Sequence, residues 1–320
     1  MTNAPMIPEI PGPLEPRPEP PHKVVRRAFS NPLASIVVVI ITVAWTIPVL
    51  GLLITSLRPK ADSASTGWWT FFVHPHLTFS NYNTVLFKGG YNVSGGLFPY
   101  VVNSLAITIP ATVIPIIIAS MAAYALAWVR FRGSDVLFFL IFALQVVPLQ
   151  MSLVPLLQLY NKGVHLGSVT IIPSPNLKGS LAEVWISHTM FSLPLAIFLL
   201  HNFISALPES LIEAARVDGA SHLRIFRTIV LPLSLPAIAS FAIFQFLWVW
   251  NDLLIALTFA GKTPATQPLT AQLQQLTGSL GSHLELLTAG GFVSIVIPMI
   301  VFFALQRYFV RGMLAGSVKG

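Results

Sequence analysis

Six long runs with almost no charged side chains limit what this chain can fold into. The first extends from Pro32 to Leu57, and the others occupy residues 99–128, 136–160, 184–206, 232–258 and 286–306. At a rise of about 1.5 Å per residue, a helix of each run is long enough to cross a hydrocarbon core of about 30 Å. The sequence therefore predicts an all-α polytopic membrane protein with about six transmembrane helices.

Prolines recur inside these runs and favour kinks, because each one removes a helix hydrogen bond. Membrane helices tolerate such kinks where neighbouring groups satisfy the freed carbonyls. Kinked helices with small-residue stretches such as "IIIASMAAYALA" can pack closely and rearrange, which favours a transporter or channel over a passive anchor. The prolines are Pro48, Pro110, Pro115, Pro148, Pro155, Pro194, Pro236 and Pro298.

The composition agrees with this class of protein. Hydrophobic residues make up 54% of the chain and charged residues 9%, whereas soluble domains carry roughly 25% charged residues. Because there is no Cys, disulfides, thiolate metal sites and cysteine nucleophiles are excluded. The formal charge of +7 does not indicate a nucleic-acid partner, because the basic residues lie between apolar runs without an aromatic-interleaved patch.

Composition also divides the chain into segments. Residues 1–30 are rich in Pro and poor in large apolar groups, so a disordered cytoplasmic tail is expected. A basic cluster before the first run resembles the start of a signal peptide, but the run is too long and lacks a small-residue cleavage site. We therefore expect a retained first helix with an outer loop at 31–98, a core at 99–310 that contains a polar loop at 207–231, and a cytoplasmic tail at 311–320.

Lys and Arg are distributed unevenly between the two sets of loops, 12 against 6, out of 18 in the chain. Because positive charge is enriched on the cytoplasmic side, both termini and the polar loop are predicted to be cytoplasmic. The larger set is Arg17, Lys23, Arg26, Arg27, Arg130, Arg132, Arg216, Arg224, Arg227, Arg307, Arg311 and Lys319, and the smaller set is Arg58, Lys60, Lys88, Lys162, Lys178 and Lys262.

The polar stretch "EAARVDGASHLRIFRTIVLPLSLP", Glu213 to Pro236, separates two apolar runs. Pro208 suits the start of a helix, Gly219 suits a left-handed helix end, and Ser221 suits the cap of a second short helix. This pattern predicts a helix, a turn and a short helix at the cytoplasmic membrane surface. The residues alone leave two alternatives open, an interfacial loop and a docking element for a soluble partner.

The order of residues in this stretch resembles the EAA signature of ABC importer permeases, and residues 207–231 are hereafter the EAA loop. The resemblance extends from about Asn103 to Gly320, where "FQFLWVWNDLLIALTF" is similar to the fifth span of the sugar-permease branch. The chain thus resembles permeases of the maltose and alpha-glucoside type. The residues that carry the signature are Glu213, Ala214, Ala215, Asp218, Gly219, Ala220, Phe226, Leu231, Pro232 and Pro236.

The resemblance implies an assembly in the bacterial inner membrane. The implied partners are a homologous permease, two ATP-binding subunits that hold ATP and Mg, an extracytoplasmic solute-binding protein and a sugar, with membrane lipid around the spans. The chain itself would be a transport subunit with no enzymatic activity, no cofactor and no metal. Alternating access would follow closure of the ATPase pair.

The resemblance also implies residue roles. Glu213 is expected to contact a basic group on the ATPase, Gly219 to set the angle between the two short helices, and Phe226 to enter the ATPase cleft as an apolar knob. The C-terminal tail is expected to reach the ATPase interface through Gly316, Ser317, Val318, Lys319 and Gly320. The outer loop Gly261 to Leu287 is a candidate contact of the solute-binding protein, and Ser168 to Trp185 is longer than the usual connection.

Polar residues inside the runs are candidates for the transport pathway, because they could hydrogen-bond a hydroxylated solute, with a Trp ring stacking on a sugar face. The alternative is that they form interhelical hydrogen bonds, which is the commoner role of polar groups in helix bundles. An ionisable group in a span is by default a functional candidate, although a cap at a kink is favoured for Asp252. The candidates are Asn103, Gln145, Gln150, Gln245, Trp248, Asn251 and Asp252.

Other functions are disfavoured. The sequence "AGKT", Ala260 to Thr263, resembles a phosphate loop, but Ala256 stands where the motif requires Gly, so no ATP site is predicted here. An ion-coupled secondary transporter would be expected to show inverted repeats and paired ionisable groups, and Asp252 is nearly alone. A membrane-embedded enzyme is disfavoured because His188 and His201 lack a carboxylate nearby in sequence.

Overall fold

The computed structural model of the protein describes residues 32–90, 93–129, 131–261, 263–276 and 283–316. It contains two compact units, Met1–Leu52 and Leu53–Gly320. The described part of the first unit belongs to helix α1, Pro32–Leu57. The apolar side chains of residues 36–50 are exposed all round, as Trp45 at 78% and Ile40 at 61% illustrate, which is typical of a helix that faces lipid.

The second unit is built almost entirely from helices in its described residues. In chain order they are α2 (Lys60–Ser65), α3 (Ser80–Asn83), α4 (Phe98–Tyr124), α5 (Ser134–Ala143), α6 (Leu149–Lys162), α7 (Leu181–Ile204), α8 (Glu209–Val217), α9 (His222–Ile225), α10 (Leu231–Leu233), α11 (Leu235–Asn251), α12 (Leu254–Phe259), α13 (Leu269–Leu273) and α14 (Leu284–Gly316). Single 3₁₀ turns lie at Trp68–Phe72, Leu144–Val146 and Gln274–Leu276, and π-helical turns lie at Thr84–Lys88, Ala125–Val129 and Phe226–Val230.

Two small antiparallel hairpins complete the described structure. The first pairs β1 (Gly89–Gly90) with β2 (Val93–Ser94). The second pairs β3 (Val164–Leu166) with β4 (Val169–Ile172), with a register shift after Val164. This second hairpin opens the long connection between the third and fourth runs, and its seven strand residues are all exposed.

Among the described residues, four helices are long and apolar enough to cross a membrane. They are α1, α4 with its π-helical continuation to Val129, α7, and α14 over Leu284–Gln306. Two bent helix pairs are apolar and long enough when taken together, each as a broken span or a re-entrant loop: Ser134–Val146 meets Leu149–Lys162 at 103°, and His222–Leu233 meets Leu235–Asn251 at 71°. The predicted all-α polytopic fold is confirmed, and the predicted six spans are reached when each bent pair counts as one.

A proline lies at each of the two breaks. Pro148 lacks an amide hydrogen and drives the preceding residue out of the helical region, and Val147 accordingly has ψ 120°. At the second break Pro236 occupies the first turn of α11, and Ser234, two residues earlier, is the N-cap with ψ −2°. The other prolines within α4, α6, α7 and α14 leave those helices continuous.

The core of the second unit lies where α4, α7 and α11 meet. Small side chains face one another there, with Ala111, Ala119 and Ala123 on α4 and Ser192 and Ala196 on α7, all almost fully buried. Because helices in lipid gain little from burying apolar surface, close approach of small residues is their main source of packing energy. The "small-residue" stretch of α4 therefore builds the central helix pair.

The order of crossings assigns the loops to membrane sides. If α4 is one crossing, the α5 and α6 pair the next and α7 the third, residues 58–97 are expected on the side opposite to the EAA loop. The same count places the turn after α12 on the side of residues 58–97. Assignment of the EAA loop to the cytoplasm depends on the charge count and stays a prediction.

Candidate coupling surface and transport cavity

The EAA loop folds as helix α8, a turn and helix α9. Pro208 forms the N-cap with ψ 124°, so the helix begins at Glu209, one residue later than the sequence suggests. Gly219 has φ +75°, a left-handed conformation that costs a side-chain-bearing residue about 1 kcal/mol or more. The Ser221 hydroxyl accepts a hydrogen bond from the Arg224 amide at 3.4 Å and caps α9. The local geometry thus follows the turn and cap residues.

One face of the EAA loop is buried against the spans. Ile212 and Ile225 are 0% and 1% exposed and pack in a cluster with Tyr124, Ile204 and Phe241. Leu211 and Ala214 of the same helix are exposed. The buried isoleucines therefore set which face of each short helix is turned inward.

Hydrogen bonds fix the same face to the ends of two spans. The Arg216 Nη2 donates to the Trp128 carbonyl at 2.9 Å, and the Trp128 Nε1 donates to the Ile204 carbonyl at 3.0 Å. The Tyr124 hydroxyl and the His222 Nδ1 are 3.1 Å apart. These bonds, which no sequence motif pointed to, join α8 and α9 to the end of α4 and, through Trp128, to the end of α7.

The opposite face of the EAA loop is open. Val217 exposes 88% of its surface and Leu223 exposes 52%, beside the exposed carboxylate side chains of Glu213 and Asp218. Of the ten signature residues, Glu213, Ala214, Asp218, Gly219 and Pro232 are exposed, and Ala215, Ala220, Phe226, Leu231 and Pro236 are half-buried. The signature thus combines residues of an outward surface with residues that pack the loop onto the spans.

Phe226 belongs to the packing group. Its ring centroid lies 5.5 Å from that of Tyr124, on its own chain. The sequence-based expectation placed this ring in the cleft of an ATPase. The half-buried Phe226 ring thus packs on α4, and Leu211, Val217 and Leu223 are large apolar side chains that the loop exposes. The contact of Phe226 with an ATPase stays a prediction.

A cavity of about 850 Å³ lies between the break of α5 and α6, helix α7 and helix α11. Its wall is mostly apolar, and Val164 and Ile172 at the base of the β3–β4 hairpin lie at its edge. The candidate pathway residues Gln145, Gln245 and Trp248 line it. A cavity with an apolar wall and a few polar groups is typical of a small-molecule site.

The other candidate pathway residues do not line this cavity. Asn103 donates from Nδ2 to the carbonyls of Pro264 and Gln267, at 2.8 and 3.0 Å, and so holds the loop before α13. Asn251 donates to the Leu247 carbonyl at 2.8 Å within its own helix. Gln150 is exposed near the start of α6. The two asparagines therefore have identified structural partners.

Asp252 and His188 form a buried pair that the sequence did not reveal. The His188 Nε2 lies 3.7 Å from the Asp252 Oδ2, and their side chains are 1% and 11% exposed. Asp252 also accepts a hydrogen bond from the Ala256 amide at 3.1 Å and caps α12, as the favoured structural interpretation predicts. His188 has no carboxylate nearby in sequence, and it meets Asp252 because α7 and the end of α11 are neighbours in space.

The C-terminal tail is described only as far as α14 reaches, and Gly316 is the last residue of that helix. Ser317, Val318, Lys319 and Gly320 lie outside the described residues. Their predicted contact with an ATPase stays a prediction. Residues 1–30, predicted to be disordered, also lie outside the described residues.

Kinked spans around a cavity, with a two-faced polar loop at one end, define a polytopic helical permease. Residues 111–315 match the family described as "Binding-protein-dependent transport system inner membrane component". The protein belongs to this family. The match confirms the predicted membrane location and the predicted role as a transport component rather than an enzyme.

Curated relatives support the same conclusion. The chain is 54% identical over 288 residues to the osmoprotective compounds uptake permease protein GgtD of Synechocystis sp., covering 88% of this chain and 91% of that protein. It is 50% identical over 268 residues to the alpha-glucoside transport system permease protein AglG of Rhizobium meliloti, covering 84% and 67%. A bacterial ABC transporter for alginate import has a similar fold, with a TM-score of 0.68, 20% identity and coverage of 93% and 99%.

Proposed function

We propose that this chain is a permease subunit of an ATP-driven, binding-protein-dependent sugar importer, with alpha-glucosides or related oligosaccharides as the first substrate candidates. The observation that carries the coupling part of the proposal is the two-faced EAA loop. One face is buried and hydrogen-bonded to the spans, and the other exposes Val217, Leu223 and Glu213. The likeness to an alpha-glucoside permease supports the substrate class.

The exposed face is suited to a soluble partner. A side chain such as Val217, 88% exposed at the tip of α8, gains from being covered by another protein, and Glu213 adds a charge for orientation. We assign this face to one of two ATP-binding subunits, which would hold ATP and Mg. The undescribed residues Ser317 to Gly320 would add a second contact with that partner.

The buried face would carry movement into the membrane. If the partner displaces α8 and α9, the bonds from Arg216 to Trp128 and from His222 to Tyr124 would move the end of α4, and the chain itself would move α11. Displacement changes the equilibrium between conformations only if the ATP-bound and nucleotide-free partners make different contacts with the loop. Alternating access would follow from rearrangement at the two proline breaks.

The cavity beside the first break would be this chain's share of the pathway. Gln145 and Gln245 offer amide groups and Trp248 offers a ring face, within a wall that is otherwise mostly apolar. A homologous permease would close the cavity from the other side. An extracytoplasmic solute-binding protein would deliver the sugar, as the family description and the alginate transporter solved with a periplasmic protein support.

Reconstitution tests the proposal. The chain, its companion permease and the cognate ATPase are placed in vesicles with the solute-binding protein, and entry of labelled maltose, trehalose, sucrose and a glucosylated osmolyte is followed. We expect uptake that requires ATP hydrolysis and the binding protein. Uptake driven by an ion gradient without ATPase would contradict the coupling proposal, whereas ATP-driven uptake of a non-carbohydrate would contradict only the substrate class.

A further inference from the structure

An exposed aromatic patch follows α1. It comprises the six residues Trp68–Val73, in which Trp69, Phe72 and Val73 expose 63%, 66% and 72% of their surface. The rings touch in sequence, with Trp68 and Trp69 centroids 6.1 Å apart and Trp68 and Phe72 centroids 6.3 Å apart. No charged residue lies within the patch. Contiguous exposed apolar surface of this kind marks an interaction site.

A buried arginine gives the patch a fixed shape. Arg58 is 4% exposed, and its guanidinium donates to the carbonyls of Asp62, Thr66 and Gly67 at 2.9 to 3.2 Å. It also donates to the hydroxyls of Thr66 and Thr70, at 2.5 and 3.1 Å. Because one planar side chain satisfies five acceptors along the loop, the patch is held before any partner binds.

The patch is also held at the end of a span. The Thr78 amide donates to the Leu57 carbonyl at 2.6 Å, and the Asn81 Nδ2 donates to the carbonyls of Ser56 and Arg58 at 2.9 and 2.8 Å. The loop from Arg58 to Thr78 therefore begins and ends at the last turn of α1. Its short helix α2 also contacts α14. The rings consequently lie near the level where a spanning helix leaves the hydrocarbon.

The charges of the loop lie outside the patch. Lys60 and Asp62 precede it, and His74 and His76 follow it, with the His76 Nδ1 3.3 Å from the Asp62 Oδ2. A ring-rich segment without charge, placed beside a helix end, matches the boundary between headgroups and acyl chains, where Trp is enriched. A soluble protein partner would be expected to find charged groups for orientation within the patch.

We propose that Trp68–Val73 is a lipid anchor that inserts its exposed rings into the headgroup boundary, on the membrane side opposite to the EAA loop. The partner is the bilayer itself. The Arg58 bonds hold the rings in position, and the bonds of Thr78 and Asn81 fasten the anchor to the end of α1. The anchor thereby fixes the depth of this helix end while other spans rearrange.

Spin-label accessibility tests the anchor. Because this chain has no Cys, a single introduced Cys is the only site on it that takes the label. Trp69→Cys, Phe72→Cys and, as the matched control from the same loop, His74→Cys are labelled in the assembled complex with Cys-free partner chains, in lipid nanodiscs. Oxygen concentrates in lipid and a nickel chelate stays in water. We therefore expect the labels at positions 69 and 72 to be several-fold more accessible to oxygen than to the chelate, and the label at position 74 to be more accessible to the chelate.

Two results would overturn the anchor. One is chelate accessibility at positions 69 and 72 equal to that at 74. The other is protection of both positions only after the solute-binding protein is added, which would assign the patch to a protein partner. Because labels replace the rings themselves, native fluorescence supplies a second test. Brominated lipids should quench the unlabelled complex, Trp69→Phe should reduce the quenched fraction, and Trp250→Phe, at a site 2% exposed, should reduce it less.

Discussion

Gly219 lies in the turn between the two short helices of the EAA loop. Its φ of +75° is accessible to Gly without strain, and an added Cβ would meet no atom within 4 Å. Gly219→Ala would therefore act through backbone strain of about 1 kcal/mol or more rather than through a clash. We expect the variant complex to assemble and hydrolyse ATP but to transport several-fold fewer solute molecules per ATP, measured in vesicles.

Gly133 offers a matched control for this substitution. It has φ +89° in the turn before α5, and an added Cβ there also meets nothing within 4 Å. Gly133→Ala thus introduces the same kind of strain outside the EAA loop. Equal loss of transport in both variants would mean that general destabilisation, rather than the loop angle, is responsible.

At the scale of elements, the EAA loop depends on its attachment to α4. Tyr124→Phe removes the hydroxyl that contacts the His222 Nδ1 and keeps the ring that packs on Phe226. A hydrogen bond contributes about 0.5–1.5 kcal/mol net, so the ratio of transport to ATP hydrolysis should fall about two- to tenfold. Comparing uptake with ATP turnover in the same vesicles gives this ratio.

Tyr160→Phe is the matched tyrosine variant. Its hydroxyl lies 3.2 Å from the Ser187 Oγ in a buried cluster between α6 and α7, away from the EAA loop. We expect its ratio of transport to hydrolysis to change less than that of Tyr124→Phe. If both variants lowered the ratio equally, attachment of the EAA loop to α4 would not be the route of coupling.

Sequence patterns predicted some of these elements and not others, for identifiable reasons. The spans, the Gly219 turn and the Ser221 cap follow from apolar run length and local backbone chemistry, which are properties of neighbouring residues. The break at Pro148 was predicted only as a kink, because one Pro does not specify a bend of 103°. The inward face of α8 depends on what packs on it, and Ile212 gives no sign of this in a nine-residue helix.

The buried contacts between distant residues were beyond sequence reasoning. Asp252 meets His188 across 64 positions, and Arg216 meets the carbonyl of Trp128 across 88. Such pairs are set by which helices become neighbours, and no local pattern encodes that. The role of Trp128 as an acceptor is the hardest to predict from sequence. The Arg216 side chain donates to its backbone carbonyl, a group that every residue type carries. Helix packing likewise determines which candidate pathway residues line the cavity. Gln245 lines it, whereas Asn103 donates a hydrogen bond to a loop carbonyl.

At the scale of the whole molecule, six crossings would place two exposed surfaces of the second unit on opposite sides of the membrane. The EAA loop exposes Val217, and the loop after α1 exposes His74. Counting the α5 and α6 pair as one span is what separates them, because three crossings, α4, this pair and α7, then lie between the loops. If either broken pair were instead re-entrant, its two ends would lie on one side, and the number of crossings would change.

Labelling from each side tests this arrangement. A membrane-impermeant maleimide should label His74→Cys in spheroplasts and Val217→Cys only in inside-out vesicles, because the charge distribution predicts a cytoplasmic EAA loop. Arg132→Cys, in the turn before α5, should behave as Val217→Cys does, since one crossing separates it from the loop after α1. Adding the ATPase should then slow labelling at Val217 more than at Arg132. Labelling of Val217→Cys and His74→Cys from the same side would reject the six-crossing arrangement, whereas exchanged sides would reject only the orientation.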